Sequence, residues 1–97
     1  MDEALMNEVV AALLRKDSSL AAQVLSEYLK EGNQKKLLVA LREMTKAFGG
    51  VTTLAKHAGL NPSQLDQQLS REGNPSINGL SAILKTMGMQ LRVRSIR

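Results

Sequence analysis

Amide and hydroxyl side chains are concentrated in one short segment, NPSQLDQQ, at residues 61–68. Asn61 is a preferred residue for a helix N-cap, and Pro62 suits the first helical position because its missing N–H would have no partner there. Amide side chains at the start of a helix can form paired hydrogen bonds with adenine in the major groove of DNA. The segment therefore predicts a helix that contacts bases through Asn61, Ser63, Gln64, Gln67 and Gln68.

Basic and hydroxyl residues flank this segment. A lysine or arginine at the rim of the groove binds phosphate, which fixes the position of a protein on DNA without reading its sequence. The residues predicted for this role are Lys46, Thr52, Lys56 and Arg71. Asp66 counts against DNA binding by this segment, because phosphate repels an acid that points toward it. The Asp66 carboxylate either accepts a hydrogen bond from a cytosine amine, caps a backbone group or weakens the binding of the predicted helix to DNA.

Arrangements of residues that are typical of catalysis are absent from the sequence. The single histidine, His57, follows Lys56 and has no carboxylate at helical spacing, which favours a surface residue or a phosphate contact over a general base. No serine has the setting of a nucleophile, and no phosphate-binding glycine loop occurs. The chain contains no cysteine, so disulfides and Cys-based metal sites are excluded. The sequence predicts a protein that is not an enzyme and needs neither cofactor nor metal.

Two short helical patterns joined at a glycine must position the polar segment. Leu54 and Ala55 mark the apolar face of the first helix, and Leu65 and Leu69, four residues apart, mark that of the second. Gly59 accepts the backbone angles of the sharp turn between them. The pattern is that of a helix-turn-helix, whose second helix enters the major groove, although helix corners of this kind also serve as plain architecture.

Helical periodicity elsewhere predicts an all-α chain of about six helices with an aliphatic core. Helix stops are expected at Gly32-Asn33, Gly49-Gly50 and Gly88. The chain has one Tyr, one Phe and no Trp, so bases cannot stack on aromatic platforms and any bound nucleic acid is expected to be duplex. The predicted helices span residues 5–16, 19–30, 34–47, 51–57, 61–71 and 76–87.

After Gly88 the apolar period changes from helical to alternating. Met89, Leu91 and Val93 fall on one side, which predicts a strand over residues 89–95. No other segment resembles a β-partner, so the strand is expected to pair with its copy in a second chain, as an antiparallel ribbon in a twofold dimer. The alternative is an irregular tail in which the alternation arises by chance.

Charge is unevenly divided along the chain. Residues 1–33 carry six acids and three bases, whereas residues 34–97 carry three acids and ten bases. The basic part suits a polyanion and the acidic part suits a basic partner, with scattered solubilising charge as the alternative. The start of the chain is acidic, unlike a secretory leader, and no apolar run is long enough to span a bilayer. A cytoplasmic protein with no membrane contact is expected.

Three motifs give residues 27–93 a resemblance to a known family. They are GGVTTLAKHAGL, the pattern L…LSxxGNP across residues 65–75, and the ending LxxMGMxLxV. The segment resembles the helix-turn-helix antidote proteins of the HigA-like type, which are antitoxins encoded beside RelE-like ribonuclease toxins. The GNP is the most distinctive mark. Members usually carry a Tyr after the first buried Leu of the reading helix, with basic residues around it, whereas Asp66 stands there in this chain.

The resemblance implies a λ-repressor-like fold, a homodimer, repression of its own operon through duplex operator DNA, and neutralisation of a RelE-like toxin. The division of charge separates acidic N-terminal helices over residues 1–33, which lie mostly outside the resemblance and are predicted for dimer or toxin contact, from a DNA-binding domain over residues 34–97. Two alternatives stay open. The chain could be a helix-turn-helix regulator without a toxin, or a protein-interaction module whose reading helix no longer binds DNA.

Overall fold

Five helices form the part of the chain that the computed structural model describes, residues 18–70 and 72–96. They are α1 (Ser18–Glu31), α2 (Gln34–Phe48), α3 (Val51–Ala58), α4 (Pro62–Gln68) and α5 (Ile77–Thr86). The all-α prediction is confirmed for these residues, which contain no strand. The helix predicted over residues 5–16 lies outside them, as does Arg71. Among the described helices, none combines the length and the apolar character that crossing a membrane requires.

Side chains cap three of the helices, because the first backbone N–H groups of a helix have no partner within it. Asn33 Oδ1 accepts from the Lys36 N–H at 3.1 Å and so begins α2. Ser76 Oγ accepts from the Gly79 N–H at 3.0 Å and so begins α5. Asn61 caps α4 in the same way. These short local contacts explain why the predicted helix starts agree with the observed ones.

One aliphatic core holds the helices together, and α3 lies at its centre. This helix contacts α2, α4 and α5, while α1 packs against α2. Thr45 is the one polar side chain buried among the described residues, and its hydroxyl donates to the Leu41 carbonyl at 2.7 Å. The largest fully buried apolar side chains are Leu41, Met44, Leu54, Leu65, Leu69 and Ile83.

The C-terminal residues 89–96 have no regular secondary structure in the single chain. A ribbon takes its ladder hydrogen bonds from a second chain, so the strand over residues 89–95 stays a prediction. The Met89 N–H donates to the Leu84 carbonyl at 2.7 Å, and Met89 and Leu91 lie half-buried against their own core. Val93, in contrast, is fully exposed. Of the three residues predicted for the dimer contact, two therefore already pack within their own chain.

Candidate nucleic-acid interface

The corner between α3 and α4 places the polar segment. Gly59 ends α3 in the left-handed region, with φ at 71°, which a residue with a Cβ rarely adopts. The Leu60 N–H donates to the Ala55 carbonyl at 2.9 Å and closes the turn. Beneath it, Leu54 and Leu65 are fully buried. The angle between the two helices is thus set by local backbone geometry and by contact with the core.

The outward face of α4 is polar and open to solvent. Asn61 Oδ1 accepts from the Gln64 N–H at 3.1 Å, so the Asn61 oxygen is used to begin the helix, while its amide N–H groups stay available. Ser63, Gln64 and Gln67 are exposed along the next two turns. Asp66 is exposed as well. The helix therefore presents hydroxyl and amide groups together with one negative charge.

Gln68 differs from the other residues predicted to contact bases. Its side chain is half-buried, and a Cβ added to Gly79 would lie 2.7 Å from the Gln68 Oε1. The amide of Gln68 is thus directed at the start of α5, where the missing side chain of Gly79 leaves room for it. Gln68 therefore lies between α4 and α5, and the more open predicted base contacts within α4 are Ser63, Gln64 and Gln67.

The predicted phosphate contacts have unequal surroundings. Lys56 is exposed on α3, and no ion pair of Lys56 occurs within residues 18–70 and 72–96. Thr52 is exposed in the first turn of α3, which has no side-chain cap, so the N–H groups there remain open to an anion. Lys46 instead forms an exposed ion pair with Glu43 at 3.3 Å. Lys56 and Thr52 are therefore the best placed of the described candidates.

Two side chains of α2 hold the chain just after α4, and their sequence positions do not reveal this role. Arg42 Nη1 donates to the Leu69 carbonyl at 3.3 Å, and Gln34 Nε2 donates to the Gly73 carbonyl at 3.1 Å. Helical periodicity places both residues outside the core stripe of α2 but does not say what they contact. The one available signal is the GNP motif, whose glycine is one of the two partners.

Gly73 allows this connection to close tightly. A Cβ at this position would overlap the Gln68 carbonyl oxygen and would lie 2.7 Å from the Gln67 carbonyl oxygen. Because both oxygens belong to the backbone of α4, no side-chain movement can make room. The Gly73 N–H also donates to the Ser70 carbonyl at 2.8 Å. The glycine of the GNP motif is therefore required by close backbone approach.

His57 is exposed, as predicted, and its ring meets Phe48 edge to face, with 5.8 Å between ring centroids. Such a contact stabilises the packing of α3 against the end of α2. The exposed ring is not enclosed in a pocket. His57 therefore has a packing role between α3 and the end of α2.

Comparison with known proteins agrees with the motifs. Residues 6–95 match a family model described as "Probable addiction module antidote protein". The chain is also 30% identical over 73 residues to an uncharacterised protein of Haemophilus influenzae, which covers 75% of this chain and 74% of the relative. No solved structure matches. The family match includes the corner, the connection held by α2 and most of the C-terminal tail, and so the chain belongs to the family of addiction module antidote proteins.

Proposed function

We propose that the chain is a cytoplasmic antitoxin of the HigA-like type, which binds its own operator as a homodimer and neutralises a RelE-like toxin. Membership of the antidote family implies a toxin partner. The exposed polar face of α4, held on a buried corner, is the observation that carries the DNA-binding half of the proposal. The protein acts by binding, without turnover.

In this proposal α3 and α4 form the helix-turn-helix, and α4 enters the major groove. The groove of B-DNA admits one helix, and Gln64 and Gln67 offer the amide groups that pair with adenine. Lys56 and Thr52, on the preceding helix, contact the phosphates along the rim. A second copy supplies the other reading helix, about 34 Å away along the DNA.

The exposed carboxylate of Asp66 favours a second candidate function. An acid on the reading face weakens the attraction of α4 to DNA, because the field of the duplex is negative. With such a face, the corner would serve as a protein-interaction module, or would read DNA only where a cytosine amine meets Asp66. The same DNA-binding experiment separates these possibilities.

The DNA-binding half is tested with the fragment upstream of the protein's own coding sequence and a scrambled fragment of equal length. Lys56→Ala should weaken binding to both fragments and lower the slope of log K against log salt by about one. Gln64→Ala should mainly change base preference, by about 1–3 kcal/mol at one position. Gel shifts or fluorescence anisotropy over a salt series measure both effects.

Lys85→Ala is the matched control, since Lys85 is also exposed but lies on α5. It should leave both the affinity and the salt slope close to those of the unchanged protein. Equal losses of affinity in Lys56→Ala, Gln64→Ala and Lys85→Ala, without a change in the salt slope, would show damage to the fold. The absence of any preference for the upstream fragment in the unchanged protein would favour the interaction module.

For the toxin contact, we assign the exposed side of α1. Leu20, Glu27 and Glu31 follow one another at helical spacing along one side of this helix, and all three are exposed. Within residues 18–70 and 72–96, neither glutamate forms an ion pair. A side that combines an exposed leucine with two unpaired acids suits a basic partner surface.

This contact is tested with the protein encoded beside the chain. The unchanged antidote should bind that protein and restore growth when both are expressed. The double variant Glu27→Lys with Glu31→Lys should weaken the complex at least about tenfold by calorimetry, because two attractive charges become repulsive. Glu72→Lys, which reverses an exposed acid after α4, is the control and should bind normally. Full binding by the double variant would place the contact elsewhere.

A further inference from the structure

We infer that Arg42, assisted by Gln34, is a positioning residue that fixes the angle of α4 for reading DNA. The inference rests on the proposed DNA binding and adds to it a residue that does not touch DNA. It starts from α4 itself, which has only seven residues. A helix of two turns has little stability of its own, so its orientation is set by what surrounds it.

The core holds α4 mainly along one line, and the half-buried Gln68 side chain adds a contact at the start of α5. Leu65 and Leu69, one turn apart, are its buried contacts, and residues four apart lie one above the other on a helix. A rod that is held along one line can still roll about that line. A roll would swing Gln64 and Gln67 relative to the groove. Gln68 meets α5 only through its own side chain, so an attachment of the backbone is needed to fix the reading face.

Arg42 provides that attachment. Its Nη1 donates to the Leu69 carbonyl, the backbone group that follows the last turn of α4. Because the C-terminal end of a helix carries partial negative charge, a guanidinium there is favourably placed. Arg42 is half-buried and is therefore less open to a phosphate than the exposed Lys56.

Gln34 adds a second attachment to the same connection. It lies eight residues before Arg42 on α2, about 12 Å along the helix axis, and donates to the Gly73 carbonyl. The connection between Leu69 and Gly73 is thus held at both ends by one helix of the core. Both bonds reach backbone carbonyls, so α2 controls where the chain runs, whichever side chains α4 carries.

The test replaces Arg42 by methionine, which keeps the aliphatic stem and removes the donors and the charge. Lys35→Met is the matched control, since Lys35 is an exposed base on the same helix. Affinities are measured for the upstream fragment and for the scrambled fragment, over a salt series and below the melting temperature of every variant.

Arg42→Met should bind the upstream fragment about tenfold more weakly, whereas its affinity for the scrambled fragment and its salt slope should not change. The reason is that the variant loses the orientation of α4 but keeps its phosphate contacts. Arg42→Lys should regain part of the preference, since an ammonium still donates to the carbonyl. An equal loss on both fragments with a slope lower by about one would make Arg42 a phosphate contact. An unchanged preference would overturn the inference directly.

A second readout does not depend on DNA. In the free protein, the Leu69 and Ser70 amides donate to the Leu65 and Gln67 carbonyls, and hydrogen exchange reports how often these bonds open. Arg42→Met should speed their exchange about tenfold while amides of α3 keep their rates, and Lys35→Met should change neither. If the unchanged protein showed no preference for the upstream fragment, the proposed function would fail. Separately, equal exchange rates of the Leu69 and Ser70 amides in Arg42→Met and in the unchanged protein would contradict the role of Arg42.

Discussion

Gly73→Ala should lower the free energy of unfolding by about 3 kcal/mol, because a Cβ at this position overlaps the backbone of α4. The added carbon would lie 2.6 Å from the Gln68 carbonyl carbon and 2.7 Å from the Gln67 carbonyl oxygen. The chain can avoid this only by opening the connection that Gln34 holds. Urea unfolding followed by circular dichroism measures the loss, and operator binding should decline with it.

Gly32→Ala is the control for this experiment. Gly32 also follows a helix, but a Cβ there has nothing within 4 Å, and only its φ of 70° disfavours alanine. The expected loss is therefore about 1 kcal/mol, the strain of a left-handed residue. If both variants lost the same amount, backbone angle rather than close approach would explain the glycine of the GNP motif.

Val93→Asp should convert the proposed homodimer into monomers and weaken the proposed operator binding about hundredfold, since two linked reading helices bind far better than one. Val93 is fully exposed in the single chain, whereas Met89 and Leu91 are packed on their own core. The substitution therefore removes the proposed contact between copies without disturbing the fold of either. Sedimentation velocity gives the mass, and gel shifts give the affinity.

Ile77→Asp is the matched control, because Ile77 is an exposed isoleucine outside the tail. Its variant should sediment and bind DNA like the unchanged protein. Dimers of the Val93→Asp protein would show that helices, and not the tail, form the contact. A loss of dimers in both variants would point to a broader apolar contact.

Local signals explain why much of the fold is predictable from the sequence. Asn33 and Asn61 cap their helices through backbone groups three residues away, and Gly59 ends α3 through its own φ. The spacing of Leu65 and Leu69 likewise indicates the buried side of α4. In each case a helix start, stop or face is decided within about one turn of chain.

Long-range contacts explain what sequence reasoning missed. Arg42 and Gln34 meet partners 27 and 39 residues away, and nothing in their neighbourhood along the chain specifies those partners. The contact of Gln68, a predicted base contact, with the start of α5 at Gly79 is likewise a long-range one that helical periodicity does not specify. The tail alternates as a strand does, yet a strand needs a second chain that the sequence of one copy can only imply.

The two bonds from α2 end on backbone carbonyls of Leu69 and Gly73, and neither depends on the exposed side chains of α4. Ser63, Gln64 and Gln67 can therefore be exchanged in evolution without loosening the scaffold that aims them. If α4 reads DNA as proposed, relatives that keep both bonds can acquire new operators by a few surface substitutions. Such separation of scaffold from recognition would let neighbouring addiction modules in one genome avoid silencing each other.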